Sequence, residues 1–383
     1  MWRWMMVWAA CAGDPTEVCT CEAGGDDDDD DDTVVTTGTT ADTATTPTGD
    51  TGDTATDDCP QCDDGLACSI DTCDADGACS YEPAYDCPWP ALAVQWLLET
   101  EPALEVSLSG AAWDPVNHRL WVVRNSGGAA VWRLVQDAIG RWIVDEDTAH
   151  VRAEWLDVSG LSGLDLESLT IPDPVGAPDV VYLMAEGDEQ IVAFDLSVPG
   201  EAEPVGVWDT SPYLPLLDQL GSEGLTFVPD GALAAAGFVD GDGLPRVSAG
   251  GMGGLFFVGH QNGGKVYAFD LGAFDTVAHV GTFDTARLDT SGLEFDAATN
   301  RLYLWHGVTN TLEITRLTSS DTGGTYRKLD TEYVFQHPSD MNLEGIAVTG
   351  GDDCADGTRS LFLIADDGGP ASIQLYSDWP LCP

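Results

Sequence analysis

The sequence predicts an all-β fold, a five-bladed β-propeller, because one pair of strand signals is repeated along the chain. A motif of a polar residue, then Glu or Ser, then Gly or Ser, then an alternating apolar run occurs five times. Each copy precedes a second apolar run with an aromatic residue near its start. Clusters of Gly, Asn and Asp between the runs supply the turns. Four antiparallel strands in each repeat of roughly 50–60 residues describe a propeller blade.

The motif is clearest in Asn342–Val348, where Glu344 and Gly345 precede the apolar run. The other copies keep this pattern in a looser form: Leu108–Trp113, Asp165–Ile171, Gly221–Phe227 and Thr290–Phe295. The second strand of each repeat is predicted around Leu120–Val123, Val181–Met184, Leu255–Val258, Leu302–Trp305 and Leu361–Ile364. Further strand-like runs follow these pairs and complete the predicted blades.

Residues 1–11 resemble the signal of a bacterial lipoprotein. One Arg, a short apolar stretch and two Ala residues precede Cys11, and in such proteins this Cys becomes the lipid-bearing first residue. An ordinary secretion signal and a wrongly assigned start are the alternatives. Lipid on Cys11 would tether the protein without spanning the membrane. We therefore expect an extracytoplasmic protein, either secreted or lipid-anchored to a bacterial membrane.

Two short segments are predicted between this signal and the main domain. Residues 12–58 contain the acidic run Asp26–Asp32 and then mostly Thr, Asp, Gly and Ala, so they should form a disordered linker. Residues 59–87 are predicted to be a small module held by about three disulfides, and fifteen pairings are possible. A zinc site that uses Cys59 and Cys62 is the alternative. The cysteines of this module are Cys59, Cys62, Cys68, Cys73, Cys79 and Cys87.

Residues 88–383 form the predicted propeller domain. Its last repeat ends one strand short at Ser372–Tyr376, and Ala91–Leu97 can supply the missing outer strand. Joining both ends of the domain in one blade closes the ring and removes exposed strand edges. Six blades are the alternative, because Ala232–Val239 in the long third repeat could be a degenerate strand pair. Cys354 and Cys382 are placed to clip the final repeat closed.

The composition limits the partners of the chain. Its 66 acidic and 14 basic residues give a net charge of −52, which argues against nucleic acid, since nucleic acid needs clustered Lys and Arg. The charge suits a soluble protein or one that captures cations. No apolar run reaches the roughly 18–20 residues of a membrane-spanning helix. We expect a monomer whose only contact with a membrane is the lipid anchor.

Propeller geometry predicts a polar site at one mouth of the central channel. The first strand of each blade lines the channel and the second runs back beside it, so the start of one and the end of the other share a mouth. The residues at both positions are mostly carboxylates, amides and imidazoles. At the start of the first strands they are Ser109, Glu167, Glu223, Ser291 and Glu344. At the end of the second strands they are Asn125, Glu186, His260, Gly307 and Asp366, with His306 one place earlier.

Carboxylates at one mouth predict a cation, because like charges raise one another's pKa unless a cation lies among them. Oxygen ligands of adaptable geometry favour Ca²⁺, although Glu, Asn and His together can also hold another divalent metal. The alternative for each Glu is a structural role, in which it accepts backbone N–H groups of the next blade. The predicted metal ligands are Glu167, Glu223, Glu344, Glu186, Asp366 and Asn125.

Three segments resemble the SdiA-regulated family of bacterial extracytoplasmic β-propellers and the neighbouring phytase-like esterase propellers. They are 165–197, 291–307 and 342–369, within a likeness that covers roughly residues 105–378. The resemblance implies a metal at the channel mouth, held by the Glu of the motif at Glu167, Glu223 and Glu344. Ser109 and Ser291 depart from the motif. The resemblance does not extend to phytase activity, because the domain lacks the dense set of basic residues needed to grip a highly phosphorylated inositol.

Three functions follow from these features. The leading hypothesis is a propeller that binds a divalent cation, expected to be Ca²⁺, and recognises a small-molecule or surface ligand beside it. The second is a metal-assisted hydrolase of a phosphoester, ester or lactone, in which the cation activates water and His260 or His306 acts as a base. The third is a non-catalytic display or adhesion scaffold, in which the cysteine module contacts the partner.

Overall fold

The structure of the 383-residue chain is a computed structural model, and its described part is all-β apart from one short α-helix and two single turns of 3-10 helix. In this part of the chain no helix is long and apolar enough to cross a bilayer. The signal with Cys11, the linker, most of the cysteine module and Asp366 lie outside the described residues. The structure describes residues 69–73, 79–83, 87–92, 94–96, 108–125, 130–145, 165–172, 180–198, 201–215, 220–273, 275–338, 341–365 and 372–383.

Four short strands precede the repeats: β1 (Ser69–Cys73), β2 (Cys79–Pro83), β3 (Cys87–Pro88) and β4 (Val94–Trp96). Strands β1 and β2 form an antiparallel hairpin inside the predicted cysteine module. Cys79 and Cys87 are both disulfide-bonded.

The next eight strands form two separate four-stranded antiparallel sheets. The first sheet contains β5 (Leu108–Asp114), β6 (Arg119–Arg124), β7 (Ala130–Gln136) and β8 (Trp142–Val144). The second contains β9 (Leu166–Thr170), β10 (Val180–Ala185), β11 (Gln190–Val198) and β12 (Glu201–Asp209). Each strand pairs with the next in the chain, as the repeated hairpin signals predict.

The following eight strands form two further antiparallel runs of four within one larger sheet. The runs are joined where β16 and β20 pair in parallel over two residues, and β3 pairs with β20. The first run contains β13 (Ser222–Pro229), β14 (Gly254–His260), β15 (Lys265–Leu271) and β16 (Val277–Asp284). The second contains β17 (Gly292–Asp296), β18 (Arg301–His306), β19 (Thr311–Ser320) and β20 (Arg327–Gln336).

The last sheet combines both ends of the domain. It contains β21 (Leu343–Val348), β22 (Arg359–Ala365) and β23 (Ile373–Trp379), with β4 as its fourth strand. Strand β4 pairs antiparallel with β23, and Trp96 lies opposite Gln374. The predicted disulfide between Cys354 and Cys382 is present and links the segments that follow β21 and β23.

The first strands of these groups surround a common axis. They contact one another in a closed cycle that runs β5, β9, β13, β17, β21 and back to β5. Sheets arranged radially behind such inner strands are the architecture of a β-propeller. The predicted class, an all-β propeller-like fold, is therefore confirmed.

Apolar clusters fill the spaces between neighbouring groups. In β6, Trp121 and Val123 belong to the cluster that contains Leu169 of β9, whereas Leu120 belongs to the cluster that contains Phe362 of β22. This split follows from the strand period of two, which turns alternate side chains to opposite faces of the sheet. Each fully buried large apolar side chain stabilises the fold by roughly 1.5–3 kcal/mol.

The segment behind the six-bladed alternative is not a strand pair. Residues Asp230–Ala236 form the helix α1, which buries Leu233. A run of Ala favours a helix over a strand, and Gly237 ends it with a positive φ of 69°. The extra length of the third repeat is thus helix and turn.

Candidate metal site

Three glutamates lie at β-bulges near the start of inner strands. In the β13–β14 pair, Ser222 lies opposite His260 and Gly224 lies opposite Gly259, so Glu223 has no partner in the ladder. Bulges re-aim a side chain and bend the strand. The bulges therefore explain how residues of inner strands turn their carboxylates toward one another. Register shifts also occur at Glu167, Glu344 and Ser109 in their own strand pairs.

The Gly of the motif brings neighbouring inner strands into backbone contact. A Cβ atom at Gly345 would overlap the carbonyl oxygen of Ser109, and one at Gly292 would overlap the carbonyl oxygen of Glu344. Only Gly allows strands to approach this closely. At Glu344–Gly345 the motif thus couples an acidic side chain to a close backbone contact between neighbouring inner strands.

The carboxylates of Glu167, Glu223 and Glu344 form one buried group. One oxygen from each lies within 4.8 Å of the others. Their side chains are only 4%, 5% and 9% exposed. A second group of Asp165, Glu167 and Glu186 meets the same 4.8 Å limit, so Glu167 belongs to both.

Four neutral groups of the described residues donate hydrogen bonds to these two acidic groups. The Ser109 hydroxyl donates to Glu167, and Asn125 Nδ2 lies 3.4 Å from the other oxygen of Glu167. Asn342 Nδ2 donates to Glu344 over 2.7 Å, and the N–H of Gly221 donates to Glu186 over 2.7 Å.

No described Lys or Arg neutralises Glu167 or Glu223. Among the described residues, neither Glu167 nor Glu223 forms a salt bridge with Lys or Arg. The negative charge of the group is therefore uncompensated there, which is costly for buried carboxylates.

Burial and like charge make this group reluctant to ionise. Burial raises the pKa of Glu167 to about 8; the Ser109 hydrogen bond opposes this rise, and the charges of Glu344 and Glu186 add to it. Burial, followed by the charge of Glu167, raises the pKa of Glu223 well above its ordinary value. The pKa of Glu186 is also raised, chiefly by burial. A cation among them would reverse these shifts.

His260 lies beside this group with an unpartnered nitrogen. Its Nδ1 accepts the N–H of Asn262 over 3.0 Å, so the neutral ring carries its proton on Nε2. That nitrogen lies 3.6 Å from Glu189 Oε1, too far for a hydrogen bond. His260 Nε2, Glu189 Oε2 and Asn125 Oδ1 are all buried without a hydrogen-bond partner.

His306 is held elsewhere by partners of its own. Its Nδ1 meets the carbonyl oxygen of Asp289, and its Nε2 lies 3.0 Å from Glu313 Oε2. Both His306 and Glu313 are fully buried. Burial raises the pKa of Glu313, but hydrogen bonds from His306 and Thr331 outweigh it and leave the pKa below its ordinary value. The structure therefore places His306 in a satisfied core pair rather than among the acids.

The sequence interpretation found part of this arrangement. The structure brings together Glu167, Glu223 and Glu344, places Glu186 in the overlapping group and sets Asn125 against Glu167. It adds Asp165 and Glu189, and it adds Asn342 as a donor to Glu344. The position of Asp165 and Asn342 was a usable signal, since each precedes the motif Glu by two residues.

The fold and the acids define the class: an all-β, propeller-like protein with a buried acidic group at one end of its inner strands. No protein-family model matches the chain, and no curated protein matches it.

Several solved structures resemble the chain weakly. A streptogramin B lyase is 13% identical, with 76% of this chain and 75% of that chain covered and a TM-score of 0.32. A nidogen/laminin complex is 12% identical, with 71% and 84% covered and a TM-score of 0.35. A protein from Lactobacillus plantarum is 14% identical, with 70% and 67% covered and a TM-score of 0.34. At these scores neither fold nor function is carried over from them.

Proposed function

We propose that this protein is a five-bladed β-propeller, closed by the pairing of β4 with β23, that binds a divalent cation at one channel mouth and recognises a ligand there. The observation that carries the proposal is the buried group of Glu167, Glu223 and Glu344, whose oxygens lie within 4.8 Å of one another. A divalent cation would supply the positive charge that no described Lys or Arg brings to Glu167 or Glu223.

Calcium fits the donor set best. Every member of the two acidic groups is a carboxylate, and neither group contains His or Cys. Carboxylate oxygens favour hard cations over zinc or copper. Calcium takes more ligands in looser geometry than magnesium, which suits acids delivered by separate strands.

A second candidate is a metal-assisted hydrolase, favoured by His260. Its unpartnered Nε2 is aimed toward Glu189 beside the acids. Since Nδ1 is occupied by the N–H of Asn262, Nε2 would donate a hydrogen bond to a substrate oxygen rather than accept a proton. The cation would polarise an ester, phosphoester or lactone and lower the pKa of its bound water.

We also propose an extracytoplasmic location with a lipid anchor at Cys11. The amino-terminal pattern and the Cys354–Cys382 disulfide support it, because disulfides persist in oxidising compartments.

Thermal unfolding of the full chain tests the cation proposal. We expect millimolar Ca²⁺ to raise the melting temperature above its value in chelator, because a ligand at about 100 times its Kd stabilises the fold by about 2.7 kcal/mol. Glu223→Gln and Glu344→Gln should remove the rise. Asp242→Asn, which neutralises an exposed acid, should keep it. All variants retain Asp26–Asp32, so binding to that run cannot mimic the result.

An unchanged melting temperature of the wild type in Ca²⁺ would contradict the cation site. The non-catalytic display scaffold would then be the remaining hypothesis. A screen of phosphate, ester and lactone substrates, each with and without chelator, separates the two candidates. Turnover that chelator abolishes and that His260→Gln reduces would establish the hydrolase. Binding of Ca²⁺ without turnover would support the recognition protein.

A further inference from the structure

The other end of the inner strands holds a cavity of about 540 Å³. Its lining residues come from the ends of the inner strands, whereas the motif glutamates lie near their starts. The cavity is therefore at the opposite mouth from the acidic group. Its volume falls within the range of small-molecule sites, roughly 300–1,000 Å³.

The walls of this cavity are mainly apolar and aromatic. Trp113, Phe227 and Phe295 contribute rings, and Ile171 and Val348 contribute aliphatic surface. Trp113 and Phe227 are only 8% and 7% exposed, so their positions are set by packing. A preformed apolar cavity with a few polar groups is the usual form of a ligand site.

Two buried carboxyls line this cavity; Asp296 is paired with Arg359, and the second carboxyl is that of Glu294. Its side chain is 7% exposed. The backbone N–H of Trp113 bonds to it, and among the described residues it has no salt bridge to Lys or Arg. Burial, with a smaller contribution from the charge of Asp296, raises its pKa well above the ordinary value. Glu294 thus lacks a counter-ion, as Glu223 does at the other mouth.

The place of Glu294 in its inner strand can be compared with the equivalent places in the other inner strands. At the equivalent place in β9 and β13, the hydroxyls of Thr170 and Thr226 accept the N–H groups of Phe227 and Phe295 over 3.1 and 2.9 Å. In β21 the equivalent residue is Ala347, which has no hydroxyl for Trp113. Glu294 occupies the equivalent place in β17 and its carboxyl interacts with the N–H of Trp113, so a carboxyl lines the cavity where β9 and β13 have a Thr.

The charge of the cavity has one sign. Asp352 and Asp353 line it with Glu294 and Asp296, and no described lining residue is Lys, Arg or His. Asp296 is paired with Arg359 and Asp353 with His118, so Glu294 and the exposed Asp352 provide the charge for a ligand. Aromatic faces add attraction for a cation.

We propose that this cavity binds a small organic cation with an apolar body, an aryl-alkylamine, whose ammonium group pairs with Glu294 while its apolar part packs against Trp113, Phe227 and Phe295. The amine supplies the missing counter-ion, and the rings supply the apolar contact area. The proposal rests on residues separate from the carboxylates of the metal site, so it stands or falls independently of the cation there.

Ligand-observed NMR titration of the full chain tests the proposal, with and without Ca²⁺. The probes are phenethylamine, its neutral isostere 2-phenylethanol and the anion phenylacetate. We expect the amine to bind about tenfold or more tighter than the alcohol, a difference that one charge pair can supply, and the anion not to bind. Glu294→Gln should abolish the preference for the amine. Asp242→Asn, outside the cavity, should preserve it.

Folding of the variants needs a separate check. The amide of Gln can still accept the Trp113 N–H, so Glu294→Gln should keep the circular dichroism spectrum and melting temperature of the wild type. Ala298→Trp places a bulky ring at an exposed position on the cavity lining and should block the amine without disturbing the core. Equal affinity for amine and alcohol, unchanged amine binding in Glu294→Gln, or no binding of any probe would overturn the proposal.

Discussion

At the scale of single residues, the protein buries acids that form no salt bridge with Lys or Arg among the described residues. Glu167 and Glu223 are buried beside one another, and the described side-chain donors to Glu167 are the neutral groups of Ser109 and Asn125. Such an arrangement reduces stability unless protons or a cation occupy it. The same residues therefore destabilise the fold when the site is empty, and they would stabilise it with a bound cation.

Glu167→Gln should stabilise the fold when the acidic site is empty and destabilise it when the site holds Ca²⁺. The pKa of Glu167 rises from 4.5 to about 8, so the folded state binds its proton more tightly than the unfolded state. Stability from this group is present below pH 4.5 and is lost as pH rises through 8. At pH 9 in chelator, Glu167→Gln should melt about 2 °C or more above the wild type. In Ca²⁺ it should melt below it.

Calorimetry in both conditions, with Asp242→Asn as the charge-matched control, checks this reversal. A Glu167→Gln variant that melts below the wild type in chelator as well would show that the carboxylate has a structural role and would contradict the electrostatic account.

At the scale of elements, the inner strands combine a bulge with a close approach of backbones. The bulge places Glu344 out of the ladder, and the next residue, Gly345, lies against Ser109 of the neighbouring inner strand. The site and the closest strand contact are therefore one structural unit, so a change to the Gly should affect both.

Gly345→Ala should destabilise the fold by about 2 kcal/mol or more, because its Cβ would overlap backbone that cannot move freely. It should also weaken Ca²⁺ binding by displacing Glu344. Gly231→Ala is the matched control: nothing lies within 4 Å of its Cβ and it is in α1, so it should be neutral or stabilising by up to about 1 kcal/mol. Denaturant unfolding measures the stability of both variants. Equal free energies of unfolding for Gly345→Ala and Gly231→Ala would contradict the close-contact account.

At the scale of the whole molecule, the amino-terminal segment packs where two neighbouring strand groups meet. Trp89 packs edge-on against His337 at 4.6 Å between ring centroids, and it also contacts Trp305 and Tyr376. His337 Nε2 lies 2.7 Å from the Tyr376 hydroxyl. Residues distant in sequence therefore share one aromatic cluster, and burial lowers the pKa of His337 within it.

The fold should lose stability in acid through His337. Burial lowers its pKa from 6.5 to about 4, so between these values the unfolded state binds a proton that the folded state excludes. Stability is full above pH 6.5 and falls as pH drops toward 4, by about 2–3 kcal/mol from this residue. His337→Gln, which retains a donor for Tyr376, should show a smaller loss than the wild type over that window. Denaturant titration at each pH measures the free energy of unfolding. The same pH dependence for His337→Gln and the wild type would contradict this prediction.

Much of the fold was predictable because the signals are local. Alternating apolar runs and Gly, Asn and Asp turns predict strands, and their repetition predicts the class of architecture. The same local pattern was misleading at Ala232–Val239, where Ala-rich sequence forms α1. The clip between Cys354 and Cys382 followed from their positions near the end of the last repeat.

The site was less predictable because it depends on approach between strands. His260 and His306 end equivalent second strands, yet one has an unpartnered nitrogen and the other lies in a buried pair with Glu313. Glu294 lies in the apolar run of the motif copy Thr290–Phe295, where the repeat pattern does not mark it as a site residue, and only the fold brings it to the cavity beside Trp113.

The sequence by itself determined the strands, their repetition and the placement of an acidic residue and a Gly at the start of inner strands, since these depend on side-chain period and turn chemistry. Only the tertiary structure decided which acids meet, which imidazole stays unpartnered and where a second cavity opens. The reason is physical: register shifts and backbone contacts between strands dozens of residues apart orient those side chains, and no local pattern encodes such contacts.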